Sequence, residues 1–186
     1  MRMFLAIELP AVVRAQLTQL QSQLSSRITK ASFTRPENLH ITLKFLGEVR
    51  DREVRPLVES LQQVRSSSPV TLSATGAGCF PNRGPVRIIA AMFGGDEKAL
   101  AGVHTAVEQR CQYLGFEREQ RKYTPHATLA RARPTLSASV REFVLEQSPR
   151  LLPSTPFDVR EFVLMQSTLK PTGSEYAVAA RFSLRD

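Results

Sequence analysis

Hydrophobic residues recur along this chain with two periods, about 3.6 residues in some stretches and 2 in others, and the longer period marks three helices. Val13, Leu17, Leu20 and Leu24 fall at spacings of four, three and four, with Arg14, glutamines and serines on the other positions, so one apolar face is available to cover a sheet. Pro10 suits the first position of that helix. Val54, Leu57, Val58, Leu61 and Val64 form a second stripe, with Asp51 as candidate N-cap and Pro56 near enough to the start to be tolerated. A third stripe, Leu100, Val103, Val107, Cys111 and Leu114, lies between Gly94-Gly95-Asp96 and Gly115, which read as its start and stop.

The shorter period predicts strands. Residues 3–9, 31–35, 70–74, 86–93 and 176–184 read as extended, and Gly76-Ala77-Gly78 together with the breaker-rich 81–85 forms a loop that makes the third and fourth a hairpin-like pair. Residues 140–148, Val-Arg-Glu-Phe-Val-Leu-Glu-Gln-Ser, return at 159–167 with Met165 where the first copy has Glu146. The unit is too short and the copies too few for a solenoid. Ser137 and Ser139 can cap the first copy and Phe157 extends the second, so one is predicted to be a helix and the other a strand.

One further strand pattern occurs twice. His40-Ile41-Thr42-Leu43 returns as His126-Ala127-Thr128-Leu129 and takes two of the three histidines. In a strand, His40 shares a face with Thr42 while Ile41 and Leu43 turn to the core, and the second copy behaves alike. A threonine two places after a given histidine has a chance of roughly 7% here, so two such cases, both followed by leucine, argue for a shared role. A helix precedes each copy, which suggests an α+β fold of two similar lobes with a cleft between, all of 1–186 forming one domain. The strands and helices carry no Gly-rich phosphate loop, which disfavours dinucleotide and P-loop folds.

Composition adds a partner class. At 42% hydrophobic the chain can fill a core, and its formal charge of +8 favours an anionic partner. Arg118, Arg121, Lys122, Arg131 and Arg133 bracket the second motif. Cys79 and Cys111 have no metal-ligand spacing and read as reduced core residues of a cytoplasmic protein. The apolar start is cut short by Glu8 and Pro10 with no cleavage site after it, and no run approaches the roughly 20 residues of a membrane span.

Two imidazoles facing one cavity can act as base and acid near neutral pH, which suits in-line cleavage of a phosphodiester. Thr42 and Thr128 can bind the non-bridging oxygens, and Arg131, just beyond Thr128 and expected on the same face, can add a charge-assisted contact. His40 and His126 lack a third ligand at recognisable spacing, so no metal and no cofactor are expected. His104 belongs to the third helical stripe and stays outside the site. A module that grips a phosphate end without turning it over is the competing reading.

The stretches 4–10, 37–49 and 124–131, with Gly115-Phe116 and a looser echo at 167–176, resemble the two-histidine (2H) phosphoesterase superfamily, and within it the RNA 2',3'-cyclic phosphodiesterases, also called 2'-5' RNA ligases. The resemblance implies a bilobal, pseudo-two-fold pair of antiparallel sheets flanked by helices, with the motif strands facing each other across a central cleft. It implies hydrolysis of an RNA 2',3'-cyclic phosphate end to a 2'-phosphate, with reversible 2'-5' joining as the related reaction, by a protein expected to be monomeric. On that carry-over His126 is the base and His40 the acid. Where members have an aromatic before the second motif this chain has Tyr123, and Phe45 follows the first; either can stack on a base, although Phe45 reads more naturally as core.

Overall fold

The computed structural model describes residues 1–151, 155–171 and 173–185. In chain order the elements are β1 (Arg2–Glu8), α1 (Ala11–Ser25), β2 (Ala31–Phe33), a 3-10 turn (Pro36–Asn38), β3 (His40–Glu48), α2 (Asp51–Leu61), β4 (Thr71–Phe80), β5 (Val86–Gly95), α3 (Glu97–Tyr113), β6 (His126–Leu136), α4 (Ala138–Leu151), β7 (Phe157–Asp158), β8 (Glu161–Lys170) and β9 (Gly173–Ser183). They make two antiparallel sheets, ordered β3-β1-β8-β9 and β2-β6-β5-β4-β7. The α+β class with paired antiparallel sheets is therefore as the sequence predicts.

The expected helices form, and their predicted stripes are the buried faces: Val13, Leu17, Leu20 and Leu24 in α1, and Leu100, Val103, Val107 and Cys111 in α3. Pro10 and Asp51 each sit one position from their predicted place, Pro10 just before α1 and Asp51 just inside α2, where Arg50 takes the N-cap position and pairs reciprocally with Glu53. The Gly76–Gly78 stretch is strand and not loop. β4 continues through it with a bulge at Thr75, just before Gly76, whose φ of 153° is open to glycine, and only the segment before β5 turns.

Packing crosses between the two sheets. α1 lies against β2 and β6, α3 lies against β3 and α2, and α4 covers β4 and β5. So the helix that follows β1 covers the sheet of the second motif, and the helix that follows β5 covers the sheet of the first. A single hydrophobic cluster accordingly contains Leu5, Ile7 and Phe162 from one sheet and Ile89, Ala91 and Leu129 from the other.

The duplicated nonapeptide resolves as one helix and one strand. Its first copy lies in α4 and its second, from Glu161 onward, in β8. β8 sits between β1 and β9, where Phe162 and Leu164 face the main core while Val163 and Met165 face a second small cluster with Phe4 and Ala6. In α4 the residue matching Leu164 is Leu145, which is 48% exposed. Context, not intrinsic propensity, selects the conformation.

Candidate active site

Strict alternation fails directly after the threonine of each motif, at the same place in both strands. Along β1, Leu5 pairs with Lys44 and Ala6 with Thr42, leaving Leu43 as an extra residue; along β5, Ile89 pairs with Ala130 and Ala90 with Thr128, leaving Leu129 extra. Each bulge reverses the parity of the residues beyond it. Lys44 and Ala130 therefore turn into the core, and Phe45 and Arg131 rejoin the face of the histidines. Arg131 lies three positions after Thr128, an odd offset, so without the bulge the guanidinium would face away. The expected core place for Phe45 is corrected on the same ground: its side chain is 65% exposed.

Both imidazoles are held alike. His40 Nδ1 lies 2.7 Å from the Asn38 carbonyl and His126 Nδ1 lies 2.7 Å from the Thr124 carbonyl. A carbonyl only accepts, so Nδ1–H donates in both rings and Nε2 is left as the reactive atom. Nε2 of His40 is 3.1 Å from the Thr42 hydroxyl, which donates to it when the ring is neutral. Burial, opposed by the Asn38 hydrogen bond, holds His40 below the ordinary histidine pKa, and the charges of Arg131 and His126 push the same way. Groups from both sheets thus act on one ring.

The surroundings of the two rings differ. Phe4 lies 4.9 Å and Tyr176 5.5 Å from the His40 ring, and Phe45 lies 6.1 Å from Phe4, so an aromatic floor surrounds the first motif. Phe80 lies 5.2 Å from His126. Phe4, Tyr176 and Phe80 come from β1, β9 and β4, and sequence reasoning singled out none of them, because cross-strand pairing and not spacing brings them there.

Tyr123 is placed differently from the expectation. Its ring stacks at 4.1 Å on His104, its hydroxyl is buried without a partner among the described residues, and burial raises its pKa, so it packs beneath the segment before β6 and does not present a stacking face to the cleft. Nor do the five bracketing cations converge. Arg118, Arg121 and Lys122 line a separate cavity of about 700 Å³ beside α3, with Arg121 paired to Glu119, while Arg131 stands with the histidines. Among the described residues no group of three or more His, Cys, Asp or Glu side chains could hold a metal ion, and no helix is long and apolar enough to cross a membrane. Both cysteines are buried thiols, and burial pushes Cys111 up to about 12.

Comparison with known proteins agrees with this fold. The family model of LigT-like phosphoesterases matches residues 7–90 and 95–176, each span containing one motif. Among curated proteins, the chain is 32% identical over 180 residues to the RNA 2',3'-cyclic phosphodiesterase of Archaeoglobus fulgidus, covering 95% of this chain and 96% of that protein. It is 33% identical over 194 residues to that of Thermus thermophilus, covering 100% and 91%. Among solved structures it resembles a Thermus thermophilus protein at a TM-score of 0.74 and 29% identity, and Escherichia coli LigT complexed with 3'-AMP at a TM-score of 0.77 and 23% identity, each covering 100% of this chain and 98% of the other.

Proposed function

The chain belongs to the LigT-like phosphoesterase family, and from that premise we propose that it hydrolyses the 2',3'-cyclic phosphate end of RNA to a 2'-phosphomonoester by metal-independent general acid–base catalysis. The observation that carries this reading is the matched pair of imidazoles, each with Nδ1 tied to the carbonyl two residues earlier and Nε2 left to move a proton. Curated relatives named RNA 2',3'-cyclic phosphodiesterase support it. Both rings come from one chain in one two-lobed unit, so a monomer suffices.

The aromatic floor orients the substrate. A terminal nucleoside stacked on Phe45, above Phe4 and Tyr176, puts its ribose beside His40 and leaves the far side of the phosphorus to His126. His126 Nε2 then takes a proton from water, the water oxygen bonds to phosphorus, the P–O3' bond breaks, and His40 Nε2–H protonates O3'. Thr42, Thr128 and Arg131 meet the charge that grows on the non-bridging oxygens. A 5'-hydroxyl in place of water gives a 2'-5' bond by the same steps.

An acid held below the ordinary range is charged by its substrate. Burial, Arg131 and His126 all disfavour protonated His40 in the free protein, whereas a bound phosphate anion opposes them. Arg131→Ala removes a like charge and so raises the His40 pKa. The expected result is a shift to higher pH of the His40 limb in the kcat/KM profile, together with a KM for cyclic-ended RNA raised about tenfold by loss of a charge-assisted hydrogen bond. An unchanged limb and KM would return Arg131 to the solvated surface. The function itself is tested by incubating the protein with cyclic-ended RNA in excess chelator: 2'-phosphate ends should accumulate. Binding without product supports the non-catalytic module, and activity lost in chelator but restored by a divalent ion removes metal independence.

A further inference from the structure

Each motif strand is gripped at its bulge by a buried polar side chain from the helix that precedes the other motif. Gln21, on α1 ahead of the first motif, donates Nε2 to the carbonyls of Leu129 and Thr34, both at 2.8 Å, and Leu129 is the extra residue of the second bulge. Glu108, on α3 ahead of the second motif, receives Lys44 Nζ at 3.0 Å on both oxygens, and Lys44 is the residue that the first bulge turns inward. The same Nζ donates to the Glu117 carbonyl at 2.6 Å, and Glu119 N donates to Glu108 Oε2 at 3.3 Å, which seats the segment leading to Thr124 and His126. Of four polar residues buried among the described residues, three belong to these grips.

A buried ion pair is seldom retained for stability alone, since apolar residues of similar volume do as well or better. What it supplies is direction: hydrogen bonds fix a separation that apolar packing leaves loose. We propose that Gln21 and the Lys44–Glu108 pair are positioning residues that fix His40 and His126 relative to each other across the cleft. This rests on the two histidines being the acid–base pair. The two grips are reciprocal, so loosening either one shifts one motif strand against the other without touching substrate.

The test uses Gln21→Leu and the double variant Lys44→Met/Glu108→Leu, which removes both charges together so that none is stranded. Both should fold, by circular dichroism and thermal unfolding, yet lose about 10- to 10²-fold in kcat on a nucleoside 2',3'-cyclic phosphate with little change in KM, the signature of misplaced catalytic groups. The second readout needs no turnover. His40 is held low in part by Arg131 and His126 on the opposing sheet, with Tyr176 and the Asn38 carbonyl as its near neighbours; a looser cleft should move its NMR titration midpoint up in both variants. Folded variants with unaltered kcat and an unmoved midpoint would overturn the proposal. If the protein proved inactive on cyclic ends, the function reading would fall, while the midpoint would still decide whether these residues set the spacing. Should the double variant not fold, Gln21→Leu, which alters a neutral residue, decides alone.

Discussion

His40→Ala and His126→Ala are each expected to lower turnover of a 2',3'-cyclic phosphate by about 10²- to 10⁴-fold, the usual contribution of one general acid or base. Each ring is tied through Nδ1 to a neighbouring carbonyl, His40 also through Nε2 to the Thr42 hydroxyl, and at the cleft His40 meets Phe4 and Tyr176 while His126 meets Phe80; the main hydrophobic cluster is untouched by either change, so both variants should fold. One ring must be neutral while the other is charged, and the wild-type rate should therefore be bell-shaped in pH, with limbs belonging to the coupled pair. Each single variant should lose one limb. The double variant should be little worse than the poorer single one, because an acid without its base has already lost the concerted transfer. His104→Ala serves as the control, since that ring lies against Tyr123 and 3.9 Å from Glu108. Steady-state rates across pH decide the matter: if the His104 variant, folded, lost as much as the His126 variant, the pairing of His40 with His126 would be wrong.

The largest effect on stability is expected at Lys44. Both side chains of the Lys44–Glu108 pair are only 3% exposed, so Lys44→Met leaves the Glu108 carboxylate buried with no partner but the His104 ring at 3.9 Å, which burial disposes to be neutral. Breaking such a pair from one side costs about 3–5 kcal/mol, which for a chain of this length lowers Tm by roughly 6–20 °C. Glu108→Leu should do comparable damage by stranding the ammonium. Lys44→Met/Glu108→Leu should regain most of the loss, and urea or thermal unfolding of the three proteins measures the coupling directly. Losses that simply added in the double variant would mean that the two charges do not depend on each other.

Much of the fold and the site is legible in the sequence, for reasons that can be named. The helical stripes of α1 and α3 survive because each faces one continuous core, and the paired histidines declare themselves through a repeated pattern. The nonapeptide at 140–148 and 159–167 is readable only through its flanks, because the same side chains fill a helix in α4 and a central strand in β8. What stays hidden depends on one extra residue in each motif strand. Alternation alone cannot reveal the bulges at Leu43 and Leu129, and so it sends Phe45 into the core and overlooks that Lys44 is buried. Tyr123 misleads for another reason: an aromatic beside a motif is equally suited to stacking on substrate or beneath the loop that carries the motif.

The strand order β3-β1-β8-β9 sets a timetable for folding during synthesis. β1 leaves the ribosome first, yet one of its two edges is completed by β8, which ends at Lys170, near the far end of the chain. β3 likewise waits for α3, and α1 waits for β6, so neither motif strand is covered by a helix from its own half. Closing such distant pairs costs chain entropy before it returns any stabilisation, and the unpaired edge of β1 stays available to other chains meanwhile. Assembly of the catalytic cleft is consequently a late, all-at-once event, and a nascent chain halted after β6 but before residue 170 holds both histidines without holding them in place.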